Sequence, residues 1–157
     1  MAPEIQTFLL AMTPVGELRV SIPIAITIYH LPVWSAYLFS VLGNLVPLIL
    51  IISVLEPISK FLSRWLHFFN QFFNWSFSHT RSAHQSKFEK LGKNLAVIIL
   101  VATPIPFIGG WTGAIAAFIF GIPFKKALPL VIVGCLIAGI IVTLITIFGS
   151  TLKSFYV

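Results

Sequence analysis

The chain has 157 residues, of which 58% are hydrophobic, 14% aromatic and only 9% charged. Soluble domains carry about a quarter charged residues, so a soluble enzyme, a disordered tail and a nucleic-acid binder are all excluded as first readings. The net charge of +6 comes from ten Lys and Arg against four Glu, and the basic residues gather in the one polar stretch, where they read as topology and anionic-lipid signals.

Four apolar stretches follow one another: segment A over residues 5–29, B over 33–55, C over 95–120 and D over 127–148. The first is read as mature structure, because Met1-Ala2-Pro3-Glu4 lacks the basic start of a signal peptide. Each stretch is near the roughly 20 residues that cross a hydrocarbon core. Length alone therefore gives four spanning helices.

Helix breakers argue for a different architecture. Segment A holds Pro14, Gly16 and Pro23, with Glu17 and Arg19 between the prolines, and segment C holds Pro104, Pro106, Gly109, Gly110 and Gly113 in its middle. A proline inside a helix costs roughly 3 kcal/mol. The arms on either side of each break are about 15 Å long, half a hydrocarbon core, so A and C are expected to be re-entrant hairpins. Segments B and D, which include Pro47 and Pro129, are less disrupted.

An internal repeat points the same way. Thr13-Pro14 recurs as Thr103-Pro104, and Leu31-Pro32, Ala36 and Gly43 recur as Ile122-Pro123, Ala127 and Gly134. Chance alignment of two similar compositions is the competing explanation. A hairpin plus one helix crosses the membrane once, so the second copy is inverted relative to the first, an architecture that puts a site at the midplane. The expected fold is all-α and integral to the membrane: repeat one over 5–56, an amphipathic interfacial helix and basic linker over 58–93, and repeat two over 95–149, in one domain. Lys60, Arg64, Arg81, Lys87, Lys90, Lys93, Lys125 and Lys126 then share one face, leaving Lys153 on the other. That bias puts the linker in the cytoplasm and both termini outside; four full crossings satisfy the rule almost as well.

Within the linker, Phe61, Trp65, Phe68, Phe69, Phe72 and Phe73 recur at helical spacing, which suits a helix lying in the headgroup layer or one packed on the bundle. His67, His79 and His84 are irregularly spaced and lack carboxylates, so no metal site is expected. Cys135, the single cysteine, excludes a disulfide framework and a thiolate site. No cofactor is implied. The absence of a Walker loop, a nucleophile elbow, a metalloprotease motif and paired carboxylates argues against an enzyme.

Glu17 and Arg19 are the most informative residues. A charge at bilayer depth costs roughly 2.5–3.5 kcal/mol on insertion scales, so each needs a partner or a wet cavity. Two residues apart, they do not face each other on a regular helix. One reading has Arg19 gripping an anion through its planar fork while Glu17, whose charged form burial disfavours, carries a proton during transport. The other has Arg19 capping open carbonyls at the break while Glu17 neutralises it. In segment C the candidate contacts are Thr103, Thr112, Gly109 and Gly110, with a half-helix near Thr112 aiming its positive end at the midplane. Tight packing through Gly109 and Gly113 explains the same glycines. Asn44 is the remaining polar residue at depth, and an interhelical hydrogen bond suits it better than a substrate contact.

At these residues, and from about residue 8 to 148, the chain resembles the small multidrug export protein family of prokaryotes. The matching motifs are Glu17-Leu18-Arg19 with Ile22-Pro23, then Gly43-Asn44 and Pro47, then Pro104-Ile105-Pro106 leading into Gly109-Gly110-Trp111-Thr112-Gly113. That family looks like a compact relative of the DedA (VTT-domain) superfamily, whose members pair two inverted re-entrant hairpins. The resemblance implies an inner-membrane protein moving an amphiphile, such as undecaprenyl phosphate or a phospholipid, with embedded acidic and basic residues that map onto Glu17 and Arg19. One departure stands out: DedA-type proteins carry basic residues in the second hairpin, and segment C has none. The partners expected are therefore the bilayer and an amphiphilic small molecule or lipid, with no nucleic acid and a homodimer as the candidate assembly for so short a chain. An exporter of hydrophobic cations, with Glu17 as counter-charge, and a non-transporting membrane scaffold are the competing functions.

Overall fold

The structure, a computed structural model, describes residues 2–65, 86–103 and 109–155, with side chains described for 2–54, 91–103 and 109–151. Six helices account for most of these residues: α1 (Pro3–Met12), α2 (Glu17–Thr27), α3 (Val33–Trp65), α4 (Ser86–Ala102), α5 (Gly110–Ile119) and α6 (Phe124–Phe155). There is no strand among the described residues.

Segments A and C are each broken into two helices, and the local chemistry at the first break is clear. Pro3 sits in the first turn of α1, where its missing N–H is no loss. Thr13 then stops the helix in an extended conformation, its backbone N–H and hydroxyl both donating to the Leu10 carbonyl. The hydroxyl oxygen in turn accepts from the Gly16 N–H at 2.8 Å. Gly16 has no room for a Cβ, which would collide with the Leu10 carbonyl and the Thr13 hydroxyl. In segment C, α4 ends at Ala102 and α5 begins at Gly110; Pro104 and Pro106, the expected breakers, lie outside the described residues.

Segments B and D are the cores of two long helices. Residues Val33–Val54 and Phe124–Thr151 are long and apolar enough to cross a membrane, and Pro47 and Pro129 are accommodated within them. By contrast α1, α2 and α5 have 10 or 11 residues, which is about 15 Å at 1.5 Å per residue. The linker boundaries differ from those expected. α3 runs without a break through Pro57 to Trp65, so Phe61 and Trp65 extend α3 and do not open a separate helix, and α4 already begins at Ser86. One proline removes one hydrogen bond, and the turns on either side carry the helix through it. Phe68, Phe69, Phe72, Phe73 and the three linker histidines lie outside the described residues.

The interior mixes small residues with larger apolar ones such as Ile22, Leu48, Val97 and Val131. Ala11, Ala25, Ala36, Ala114, Ala117 and Ala127 are buried, with Ser21, Ser40 and Cys135 among them. Large apolar side chains such as Leu50, Ile99, Leu144 and Phe148 point outward and are exposed. Small residues let helix backbones approach where no hydrophobic force separates inside from outside, and large exposed apolar surface is not kept by a water-soluble monomer.

Packing within α1–α3 recurs within α4–α6. A Cβ on Gly43 would strike the Phe8 carbonyl and lie 2.9 Å from the Ala11 Cβ, and one on Gly134 would lie 3.1 Å from the Ile98 carbonyl and 2.6 Å from the Val101 Cβ. The turns into α3 and α6 also match. His30 and Gly121 both adopt positive φ, 52° and 68°. The Pro32 and Pro123 carbonyls then accept from the Ala36 and Ala127 N–H groups at 2.9 Å. Across the two halves, α3 packs on α5 and α6, and α2 packs on α6.

A Gly43→Ala or Gly134→Ala substitution should destabilise the protein by about 1–3 kcal/mol, the usual cost of overpacking. Gly149, where a Cβ would meet nothing within 4 Å, is the control. Thermal unfolding in detergent should show Tm falling for the first two and unchanged for Gly149→Ala.

Candidate functional site

The first turn of α2 delivers two charges to the centre of the molecule. Glu17 has φ 30°, a left-handed value rare outside glycine. This departure from helical geometry brings its carboxylate to 3.7 Å from the Arg19 guanidinium, although the two residues are only two apart. Both side chains are mostly buried, 20% exposed for Arg19 and 12% for Glu17.

Each partner also engages a helix end of the other half. Arg19 Nη2 donates to the Thr103 carbonyl at 3.0 Å, just beyond the end of α4. The backbone N–H of Trp111, in the first turn of α5, faces the Glu17 carboxylate. A cation at a helix C-terminus and an anion at an N-terminus are the favourable arrangements, each contributing up to about 2 kcal/mol when partly buried. The pair thus cancels its own charge and the open ends of the break in segment C together.

Gly109 makes this contact possible. A Cβ there would lie 2.7 Å from Glu17 Oε2 and closer still to Arg19 Nη2. Thr112 holds the segment in shape: its hydroxyl accepts from the Gly109 N–H at 2.8 Å and donates to the Gly109 carbonyl at 3.0 Å. Gly110 packs on α3, where a Cβ would lie 2.9 Å from Leu48 and 3.4 Å from Asn44 Nδ2. Asn44 itself is buried, and its Nδ2 lies 3.5 Å from Cys135 Sγ on α6.

Glu17, Arg19, Thr103 and Gly109 therefore meet directly, and Gly110 links them to Asn44. Two of the sequence candidates take part through the backbone or locally. The Thr103 hydroxyl donates to the Ile99 carbonyl in its own helix, leaving only its carbonyl to Arg19, and Thr112 acts within its own turn. Sequence reasoning placed Trp111 in the second hairpin without giving it a contact, and missed Cys135 as a neighbour of the site and Ser40 as a buried polar residue beside Asn44. Trp111 stands inside the glycine-rich motif, which is a signal for it; Ser40 is one helical turn before Asn44. Among the described residues no group of three His, Cys, Asp or Glu side chains could hold a metal ion.

An all-helical bundle with two helices long and apolar enough to span a bilayer, large apolar side chains exposed on its outside and a neutralised charge pair at a helix break is a membrane protein. Residues 17–141 match the family described as Putative small multi-drug export protein, and the chain belongs to that family. The match begins at Glu17 and includes every candidate site residue. No curated protein and no solved structure matches the chain.

Gly109→Ala tests the close approach. It should separate the Glu17 and Arg19 side chains from the break and lower stability by about 1–3 kcal/mol. Stability equal to wild type, read as Tm in detergent, would show that this packing is not needed.

Proposed function

We propose that the protein is a secondary transporter, not an enzyme, that moves an amphiphilic anion through the Glu17–Arg19 site with one proton bound per substrate. The observation that carries the reading is the composition of the site: one carboxylate and one guanidinium, both buried, facing helix ends from the other half. Arg stays protonated in proteins, whereas a carboxyl can take up a proton. The site is then either neutral, with Glu17 ionised, or +1, with Glu17 protonated. An anion that displaces Glu17 and arrives with a proton restores neutrality. A cation leaves the site at +1, with no group able to cancel it, at the several kcal/mol that an uncompensated charge costs in a low-dielectric interior. Charge balance therefore favours an anion over the hydrophobic cation.

The titratable groups packed near Glu17 among the described residues are Arg19 and the Cys135 thiol. The family description names multi-drug export and no particular cargo; the anion we propose is one with the chemistry of a polyprenyl or phospholipid phosphate. In our reading segments A and C are re-entrant hairpins and the halves are inverted repeats. The short helices α1, α2 and α5 beside the breaks and the recurring Gly43 and Gly134 packing support this. The positive-inside bias supports an inner-membrane, multi-pass protein with residues 58–93 in the cytoplasm and both termini outside, and a homodimer would complete the enclosure of a lipid-like substrate. In a non-transporting scaffold the charge pair would serve only to cap the break, and Glu17 would have no part in proton exchange.

Binding of a dansyl-labelled alkyl phosphate to the purified protein tests the charge assignment. Wild type should bind more tightly as pH falls, with affinity changing by about tenfold per pH unit where one proton is taken up. Glu17→Gln should bind at the acid-limit affinity at all pH values, and Arg19→Gln should not bind. A variant Glu17→Gln with unchanged pH dependence removes Glu17 from the coupling. Binding of a lipophilic cation that survives Arg19→Gln and is lost in Glu17→Gln would favour the cation exporter instead. Single cysteines at the exposed Ala2 and Ile28 flanking segment A, and at Leu91 and Lys125 flanking segment C, in a Cys135→Ser background test the topology: reaction with impermeant thiol reagents from outside at both of the first pair and from the cytoplasm at both of the second fits two hairpins. Labelling of the residues flanking A or C from opposite faces would make that segment a spanning helix.

A further inference from the structure

Most helical hydroxyls in this protein are satisfied in one way. Thr7, Ser21, Thr27, Ser53, Thr143 and Thr146 each donate to the carbonyl four residues earlier. Ser40 does not. It is fully buried, and its hydroxyl has no hydrogen-bond partner among the described residues. Asn44 is one turn further along the same face of α3, 2% exposed, and its Oδ1 also has no partner. The third such atom is the indole Nε1 of Trp111, the residue whose backbone amide faces Glu17.

Unpartnered polar atoms are costly inside a protein, and all three belong to α3 and α5, which pack together. Ser40 and Asn44 lie near the middle of the Val33–Val54 span. Asn44 packs on Gly110, between the Gly109 that touches the charge pair and Trp111. A hydroxyl, an amide oxygen and an indole N–H offer both acceptors and donors but no charge, which suits a small neutral hydrogen-bonding molecule. A water with two to four polar partners is such a ligand.

We propose that Ser40, Asn44 and the Trp111 indole hold ordered water at the membrane midplane, beside the charge pair, and that Glu17 exchanges its proton through this water. The proton route rests on the transport reading above; the hydration does not. The proton passes between the Glu17 carboxyl and the bound water by hydrogen-bond exchange, with no other group changing charge.

Water-edited magic-angle-spinning NMR of the protein in lipid bilayers tests the hydration directly. The Asn44 side-chain amide and Trp111 indole signals, assigned by their loss in Asn44→Leu and Trp111→Phe, should receive water polarisation as fast as the amide of the exposed Lys125, to within about a factor of two. Build-up at either group about tenfold slower, like the amides of the fully buried Ile22 and Val97, overturns the site. For the proton route, the rate of Glu17 protonation after a pH jump, read from its carboxyl infrared band, should fall by about tenfold in Ser40→Ala/Asn44→Leu. An unchanged rate removes the water from the path. Failure of the transport reading looks different: the water signals persist, and anion binding in wild type is independent of pH.

Discussion

The interior is organised by one constraint, that a broken helix inside a membrane exposes backbone ends that lipid cannot satisfy. In segment C the break lies between the end of α4 and the start of α5, and Arg19 and Glu17 reach across to it from segment A. The two charges need partners at that depth, and the two helix ends need charges, so each requirement answers the other. The left-handed backbone at Glu17 is part of the same solution, because regular helical geometry would point positions 17 and 19 apart. A strained φ costs about 1–3 kcal/mol, which the paired contacts offset.

Small residues carry that arrangement to the rest of the bundle. Gly109 admits the charge pair, Gly110 admits Leu48 and Asn44, and Gly43 and Gly134 admit the neighbouring backbone of α1 and α4. Replacing any of them with a larger residue would push apart the helices that hold the site. Packing and electrostatics are therefore coupled here: the same glycines that allow close approach allow the guanidinium to reach a carbonyl. The absence of basic residues from segment C follows from this. A guanidinium already fills the space against Gly109, and a second cation there would meet Arg19 where Glu17 is the one carboxylate among the described residues close enough to neutralise it.

Much of this was legible in the sequence, for physical reasons. Prolines and glycines at Pro14, Gly16 and Gly109 mark breaks because backbone chemistry is local, and charges at Glu17 and Arg19 stand out because the membrane makes them costly. The recurrence of Gly43 as Gly134 pointed to positions that pack alike. Other features depend on three-dimensional contact and left no local sign. That α3 continues past Pro57 to Trp65 is decided by the turns around that proline, not by its presence. That Thr103 offers its carbonyl and keeps its hydroxyl within α4 depends on which atom faces Arg19. Ser40 looks like any other helical serine until its back-bond is found missing.

The asymmetry between the halves is what gives the site a direction of charge. If both halves supplied an arginine, the site would bear an excess of positive charge that one carboxyl could not cancel; if neither did, no anion would be held at depth. One half supplies both charged side chains, and the other supplies backbone, as the Thr103 carbonyl and the Trp111 amide. Backbone groups have fixed dipoles and cannot titrate, so Glu17 is the one member of the pair and its contacts whose charge can change at ordinary pH. Protonating it leaves the α5 N-terminus without its anion and Arg19 without its counter-charge at the same moment. Both losses create a demand for the same thing, a negative group placed between the guanidinium and the α5 amides. In the transport function we propose, a proton arriving at Glu17 and an anion arriving at Arg19 are favoured together by one geometry.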